Sequence, residues 1–157
     1  MPVRTKRSIL AVCGALLLVA ACSNSNIGGG PTPLIEKSYA ISQGDAICKQ
    51  LVADVNTLVT QFKSTHSTPS VADTKDFFVN TLLARVDGGV GDLHRLGEPT
   101  KDRVPFDDAI LALDKDLTAL KLSVNADPVK VLNAKITIFA TSAKLFTDYG
   151  FKSCGSN

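Results

Sequence analysis

The sequence predicts an all-α protein whose folded part is a four-helix, up-down-up-down bundle. Apolar residues recur at helical spacing in four successive segments, which short links separate. No stretch shows the sustained alternation of apolar and polar residues that is typical of a half-buried strand. The 157 residues, 45% of them apolar, suit one domain and exclude a wholly disordered chain.

The first two predicted helices have clear start and stop signals. The first opens at Ser42–Asp45, where a serine followed three residues later by an acid can cap a helix. Its core stripe is formed by Ile47, Leu51, Val55, Leu58 and Phe62. The second helix begins near Thr68–Pro69 and stops at Gly97 and Pro99. Its core stripe is formed by Phe78, Leu82, Val86, Gly89, Leu93 and Leu96.

The last two predicted helices complete the bundle. The core stripe of the third is formed by Phe106, Ile110, Leu113, Leu117, Leu120 and Val124. Asp127 followed by Pro128 is a cap with proline at the first helical position, and it opens a fourth helix that Gly150 closes. The core stripe of this helix is formed by Leu132, Ile136, Phe139, Ala143 and Phe146. Short links make neighbouring helices antiparallel, so residues 42–157 are predicted to form the bundle domain.

The N-terminal segment differs from the rest of the chain. Residues 1–21 hold three basic residues and no acid; without these three of the 17 basic residues, 14 remain against 15 acidic ones, a net charge of −1. The nearly neutral body offers no basic field, so a nucleic-acid partner is not expected. The apolar run Ile9–Ala21 would rise only about 20 Å as a helix, too short for a hydrocarbon core of about 30 Å.

This run ends in Val19-Ala20-Ala21-Cys22, which resembles the lipobox of bacterial lipoproteins; the resemblance covers the chain from Met1 to Cys22. It implies a signal peptide at residues 1–21 and cleavage before Cys22. It also implies a covalent diacylglycerol and an N-acyl group at Cys22, which would anchor the protein to the extracytoplasmic side of the cell membrane. Two alternatives stay open: an ordinary secretory signal with an incidental Cys22, and a retained membrane anchor.

Residues 22–41 are predicted to be the lipidated cysteine and a flexible tether. The segment is rich in serine, asparagine, glycine and proline, and it has too little apolar content to fold. About twenty such residues have a root-mean-square reach of roughly 25 Å. The folded domain would therefore stand off the membrane surface.

Cysteine positions predict one disulfide in the body. Cys13 leaves with the signal peptide and Cys22 is modified, so only Cys48 and Cys154 remain. Outside the cytoplasm such a pair should oxidise, and an up-down-up-down order places the start of helix one and the end of helix four at the same pole. The tail Tyr149–Cys154 is also similar to that of small helical lipoproteins of actinobacteria, in which a final cysteine pairs back to the first helix. That resemblance does not indicate which activity the protein has.

The sequence offers no catalytic motif. It contains no nucleophile elbow, no zinc-protease motif and no phosphate loop. Asp87–Glu98 has the length of a calcium loop but lacks oxygen ligands at the third and fifth positions. The two histidines, His66 and His94, are expected at opposite poles of the bundle. We therefore predict no catalytic residue, no metal site and no cofactor beyond the acyl groups, and a protein that is not an enzyme.

Two helix faces are candidate binding surfaces. On helix two, five residues fall within about 60° of one another and away from the core stripe, as a partner groove would require: Phe77, Ala84, Gly88, Gly91 and Arg95. The alternative is that helix two breaks or kinks at its glycines. Helix four has a second apolar line formed by Val131, Ile138, Leu145 and Tyr149. One interpretation is that the helix is buried over a wide arc. The other is that this line is an exposed docking strip or one wall of an apolar cavity.

These observations predict a membrane-anchored binding or interaction module. Its partner would be an envelope protein that docks on one of the two candidate surfaces. The alternative is a carrier of an apolar ligand in a cavity between the helices. Such a cavity would be lined by Phe78, Phe106, Phe139 and Phe146.

Overall fold

The computed structural model describes residues 33–134 and 138–155, and this part of the chain is mostly helical. It belongs to one compact unit, Pro31–Asn157. The predicted signal peptide, Cys22 and the tether up to residue 32 lie outside the described residues. The elements in chain order are β1 (Leu34–Ile35), α1 (Lys37–Thr65), α2 (Val71–Phe77), a π-helix (Phe78–Leu82), α3 (Leu83–His94), β2 (Glu98–Pro99), α4 (Arg103–Ala126), α5 (Pro128–Asn133) and α6 (Ala140–Tyr149).

The folded region begins earlier than predicted, inside the segment expected to be tether. β1 pairs in parallel with β2, with Leu34 opposite Glu98, so the expectation of no strand pairing is also wrong. α1 starts at Lys37 with no side-chain cap, and Ala40 is fully buried. The first turn is stabilised by tertiary contacts instead, since Lys37 Nζ lies 2.9 Å from the Asp102 carboxylate. No local sequence signal marks contacts of this kind.

The second predicted helix is one continuous helical run from Val71 to His94. Ser70 and Asp73 form a capping box at its start. The π-helix lies within the run, and α3 passes through Gly88 and Gly91 without interruption. The alternative of a break at the glycines is therefore wrong. The irregularity lies two turns earlier, in the π-helix.

The fourth predicted helix is two helices, so the prediction of one continuous helix up to Gly150 is wrong. α5 opens as predicted, with the Asp127 side chain accepting the Lys130 N–H, but it ends at Asn133. The sequence that follows, Ile136-Thr137-Ile138, is β-branched and disfavours helix. α6 starts at Ala140, where the Asp116 carboxylate of α4 accepts the Ser142 N–H at 3.0 Å.

Helix packing divides the domain into two closely packed sets. α1 packs against α3 and the π-helix, and α6 packs along α4. α3 also contacts α4, and α5 bridges α2 and α4. The core between them contains the nearly inaccessible side chains Phe78, Leu82, Leu120, Val124 and Phe146.

The C-terminal segment is fastened to α1 by a covalent bond and by hydrogen bonds. Cys48 and Cys154 form the predicted disulfide, with Cα atoms 5.1 Å apart. The Asp45 carboxylate accepts the backbone N–H groups of Lys152 at 2.9 Å and Ser153 at 2.6 Å. The buried Phe151 ring packs directly on Gly44. We call this contact of residues 150–154 with residues 44–48 the C-terminal clasp.

We expect loss of the disulfide to lower stability substantially. The bond links residues 106 apart in sequence, and removing a native disulfide from a small secreted domain typically costs about 2–5 kcal/mol. The variant Cys48→Ala/Cys154→Ala should therefore lose about that much free energy of unfolding in urea titrations. An unfolding midpoint equal to that of the wild type would contradict a stabilising role for the clasp.

Two glycine substitutions should have opposite effects. A Cβ at position 44 would overlap the Phe151 ring, so Gly44→Ala should lower the free energy of unfolding by about 1–2 kcal/mol. Gly88 is exposed, and a Cβ there would meet only the Arg85 guanidinium at 3.8 Å. Gly88→Ala should therefore raise the free energy of unfolding by up to about 1 kcal/mol. Equal effects in thermal or urea unfolding would contradict the close packing at Gly44.

Candidate functional site

The main candidate site is an apolar cavity of about 410 Å³ between the helices. Its walls come from α1, the end of the π-helix, α3, α4, α6 and the C-terminal clasp. The lining residues are Cys48, Leu51, Val52, Val55, Asn56, Leu82, Val86, Val90, Leu93, Leu113, Leu120, Phe139, Ser142, Ala143, Phe146, Ser153 and Cys154.

The helix packing explains where the cavity lies. Cys48, Val52 and Val55 follow one another at helical spacing, so a single face of α1 forms one wall. α1 packs mainly on α3, whereas α6 packs mainly on α4, and the cavity occupies the space between these two sets. Both disulfide cysteines belong to its lining. The clasp therefore joins the two sets at the edge of the cavity.

The cavity wall is apolar and uncharged. None of the lining residues that the structure describes is acidic, basic or histidine, and three of them carry polar side chains: Asn56, Ser142 and Ser153. The buried Ser142 is already hydrogen-bonded, since its Oγ donates to the Phe139 carbonyl at 3.2 Å. A concave site of this volume and polarity is typical of pockets for small apolar ligands.

The opening of the cavity lies beside the outer face of α1. Val52 is 49% exposed although it lines the cavity, and Asn56 one turn later is also exposed. These two exposed lining residues therefore mark an opening of the cavity on α1. Asn56 places an amide at the rim, the only such group among the lining residues.

The predicted aromatic lining is half right. Phe139 and Phe146 line the cavity, but Phe78 and Phe106 do not. Phe106 instead packs against the Tyr149 ring, with centroids 5.6 Å apart. Sequence reasoning missed the α1 wall around Val52 and Asn56. The signal for it was that Cys48, Val52 and Val59 widen the apolar stripe of the first predicted helix.

The predicted groove on helix two is not one surface. Phe77 is buried and stacks on Phe62, with ring centroids 4.3 Å apart. Ala84, Gly88 and Arg95 are exposed, and Gly91 is half-buried. The π-helix between residues 77 and 84 adds a residue to the turn, which shifts the helical phase by about 100° and moves Phe77 to another face.

The close backbone approach in α3 occurs at Gly89. A Cβ at this position would lie 2.7 Å from Leu51 Cδ2 on α1. Gly91 has no such neighbour, since a Cβ there would meet the Arg95 guanidinium at 3.2 Å. The glycine cluster therefore permits tight packing of α1 on α3, on the side that faces the core.

The second apolar line of helix four is not an exposed strip. Val131 and Tyr149 are buried in the core, while Ile138 and Leu145 are half-buried against it. Val131 belongs to α5 and Leu145 and Tyr149 to α6, so the line is divided between two helices. These residues are apolar because the helices are buried over a wide arc. Burial raises the pKa of Tyr149, and Lys37 Nζ lies 4.4 Å from the centre of its ring.

Several titratable side chains form pairs at the protein surface. The hydrogen bond from Arg85 Nε, at 2.7 Å, holds the pKa of Asp54 below its usual range. His94 pairs with Asp114 at 2.9 Å. His66 stacks on the Phe62 ring. Within residues 33–134 and 138–155, no three acidic, histidine or cysteine side chains are grouped so as to hold a metal ion.

We expect the cavity to bind xenon, because apolar cavities in proteins take up apolar guests such as benzene and xenon. Addition of the protein should shift the ¹²⁹Xe resonance. The substitution Ala143→Phe, which places a ring in the cavity, should abolish this shift. Ala119→Phe is the matched control, since Ala119 is exposed on α4 and does not line the cavity. A shift that persists in the Ala143→Phe variant would show that xenon binds elsewhere.

No helix in the part of the chain that the structure describes is long and apolar enough to cross a membrane. Comparison of the chain with protein-family models, with curated proteins and with solved structures finds no match. A functional proposal for this protein therefore rests on the chemistry of the cavity and on the N-terminal sequence.

Proposed function

We propose that this protein is a lipid-anchored extracytoplasmic lipoprotein whose helical domain binds an apolar ligand without chemical turnover. The observation that carries this proposal is the cavity of about 410 Å³ between α1 and α6. Ligand sites in proteins are concave and mostly apolar, and an apolar space of this size between the helices of a small domain has both properties. A bound apolar ligand would fill it and restore the missing van der Waals contacts.

The wall chemistry supports binding rather than catalysis. A general acid or base would have to reach the bound molecule, and the described part of the cavity wall carries no titratable side chain outside the disulfide. The hydroxyl of Ser142, the most buried in the wall, donates a hydrogen bond to the backbone carbonyl of Phe139. Apolar contact with the ligand is what this wall provides.

The sequence around Cys22 supports the anchor. Val19-Ala20-Ala21-Cys22 follows a basic start and a short apolar run, as a lipoprotein signal at residues 1–21 requires. Acylation of Cys22 with a diacylglyceryl and an N-acyl group would supply the several chains that stable membrane binding needs. The disulfide of the folded domain is in keeping with an oxidising extracytoplasmic compartment.

The proposal includes an up-down-up-down order of four helical segments. The second segment comprises α2, the π-helix and α3, and the fourth is interrupted between α5 and α6. Contacts of α1 with α3, of α3 with α4 and of α4 with α6 support this order. The disulfide between the first segment and the residues after the last supports it as well.

A second candidate function is docking of an envelope protein on α4. Val104, Leu111 and Leu122 are all exposed, and at 100° per residue they lie within about 20° of one another. They form a line about 27 Å long on the outer face of the helix. If docking is the main function, replacing Leu111 with lysine would remove a crosslinked partner while leaving the cavity and its ligand unaffected.

The anchor is tested by one substitution. Wild-type protein should sediment with the membrane fraction, and mass spectrometry should find an acylated Cys22 as its first residue. Cys22→Ala should release the protein from the membrane, because the acyl chains on Cys22 are the proposed anchor. A Cys22→Ala protein that stays on the membrane as firmly as the wild type would contradict lipid anchoring.

The binding function is tested by what the full chain retains on purification. Wild-type protein isolated from its membrane in lipid nanodiscs should contain near-stoichiometric amounts of an apolar molecule, detectable by native mass spectrometry. Ala143→Phe should lose it, and the exposed control Ala119→Phe should keep it. Equal recovery from all three proteins, or none from the wild type, would contradict the proposal.

A further inference from the structure

We infer that the cavity takes a single unbranched hydrocarbon chain with a neutral polar head, as in a monoacyl glycerol ester. This inference rests on the proposed binding function and specifies the ligand class. It follows from three properties of the cavity: its volume, its shape and the distribution of charge around its opening.

The volume fits one chain. An apolar protein cavity of about 150 Å³ accommodates benzene, which has six carbon atoms. On the same scale, 410 Å³ has room for roughly 16 carbon atoms. This is the size of one long acyl chain. A lipid with two such chains would leave one of them outside.

The lining residues follow two helices lengthwise, so the site is elongated and suits a single chain. Lining residues on α3 and the π-helix run from Leu82 to Leu93, and those on α1 run from Cys48 to Asn56. At 1.5 Å per helical residue, the longer of these walls spans about 16 Å. A space of 410 Å³ with that length is about 25 Å² in cross-section. Because carbon atoms in contact lie about 4 Å apart, such a cross-section holds one chain and excludes two chains side by side.

The rim favours a neutral head. Asn56 lies exposed at the opening, and its amide can donate two hydrogen bonds and accept others, as an ester or hydroxyl group requires. Arg85, beside the lining residue Val86, is paired with Asp54 at 2.7 Å. Among residues 33–134 and 138–155, those that line the cavity include no cation. A carboxylate head at this opening would therefore have no counter-charge in the wall.

Photocrosslinking of the full, lipidated chain in nanodiscs tests the inference. Three probes carry a diazirine at the end of an acyl chain of about 16 carbons: a glycerol monoester, the free fatty acid and a glycerol diester. We expect the monoester to label lining residues of α3, α4 or α6, and the other two probes to label them at least about tenfold less. Ala143→Phe should abolish this labelling, and Ala119→Phe should preserve it.

A charge change at the rim provides a second test that does not depend on core packing. Asn56→Lys introduces a cation at an exposed position, so the fold should be retained. It should raise labelling by the fatty acid about fivefold, the size of a favourable surface ion pair, without raising labelling by the monoester. An unchanged fatty-acid signal would show that the head does not lie at Asn56 and would overturn the neutral-head inference.

The remaining outcomes separate this inference from the proposed function. If the diester labels the wild-type cavity as strongly as the monoester does, the single-chain inference is wrong. If the fatty acid does so, the neutral-head inference is wrong. In both cases the binding function would stand. If no probe labels the cavity and the purified wild-type protein also contains no apolar molecule, the binding function itself is wrong.

Discussion

The bond between Cys48 and Cys154 fastens the end of the chain to α1 at the edge of the apolar cavity. α1 packs on α3 and α6 packs on α4, and these two sets also meet where α3 contacts α4 and where α5 bridges α2 and α4. The disulfide joins them through the chain that follows α6. Asp45 and Gly44 add to it, since the carboxylate binds the backbone of residues 152 and 153 and the glycine receives the Phe151 ring.

Close packing elsewhere allows the cavity to persist. Gly89 lets α3 approach Leu51 on α1, and Phe62 of α1 stacks on Phe77 at the end of α2. On the opposite side, Asp116 fixes the start of α6 to α4. These contacts fix the helices on both sides of the space between the two sets. An apolar ligand would be bound by a frame that is already formed, which reduces the ordering cost of binding.

The sequence predicted those features that have local signals. Helical spacing identified the segments that became helices, and Asp127 with Pro128 marked the start of α5. Compartment and helix order together predicted the disulfide. Phe77 was assigned to the wrong face because a single added residue in the π-helix changes the phase of everything before it. The start of α1 depends on Lys37 contacting a distant residue, and no local pattern records such a contact. The break before α6 does have a local signal, the β-branched run Ile136-Thr137-Ile138, but the contact of Asp116 with the start of α6 has none. The cavity depends on the spacing between helices, which periodicity does not determine.

The most direct test of this account is residue-resolved amide hydrogen exchange of the protein with the disulfide intact and after reduction. If the clasp joins the two sets, reduction should accelerate exchange at Lys152 and Ser153, whose amides bind Asp45, and then along α6. Amides in the interior of α4, around Leu117, should keep their protection, because α4 packs against α3 and α5 independently of the clasp. Exchange rates in α6 and the tail that are the same before and after reduction would contradict the central role of this bond.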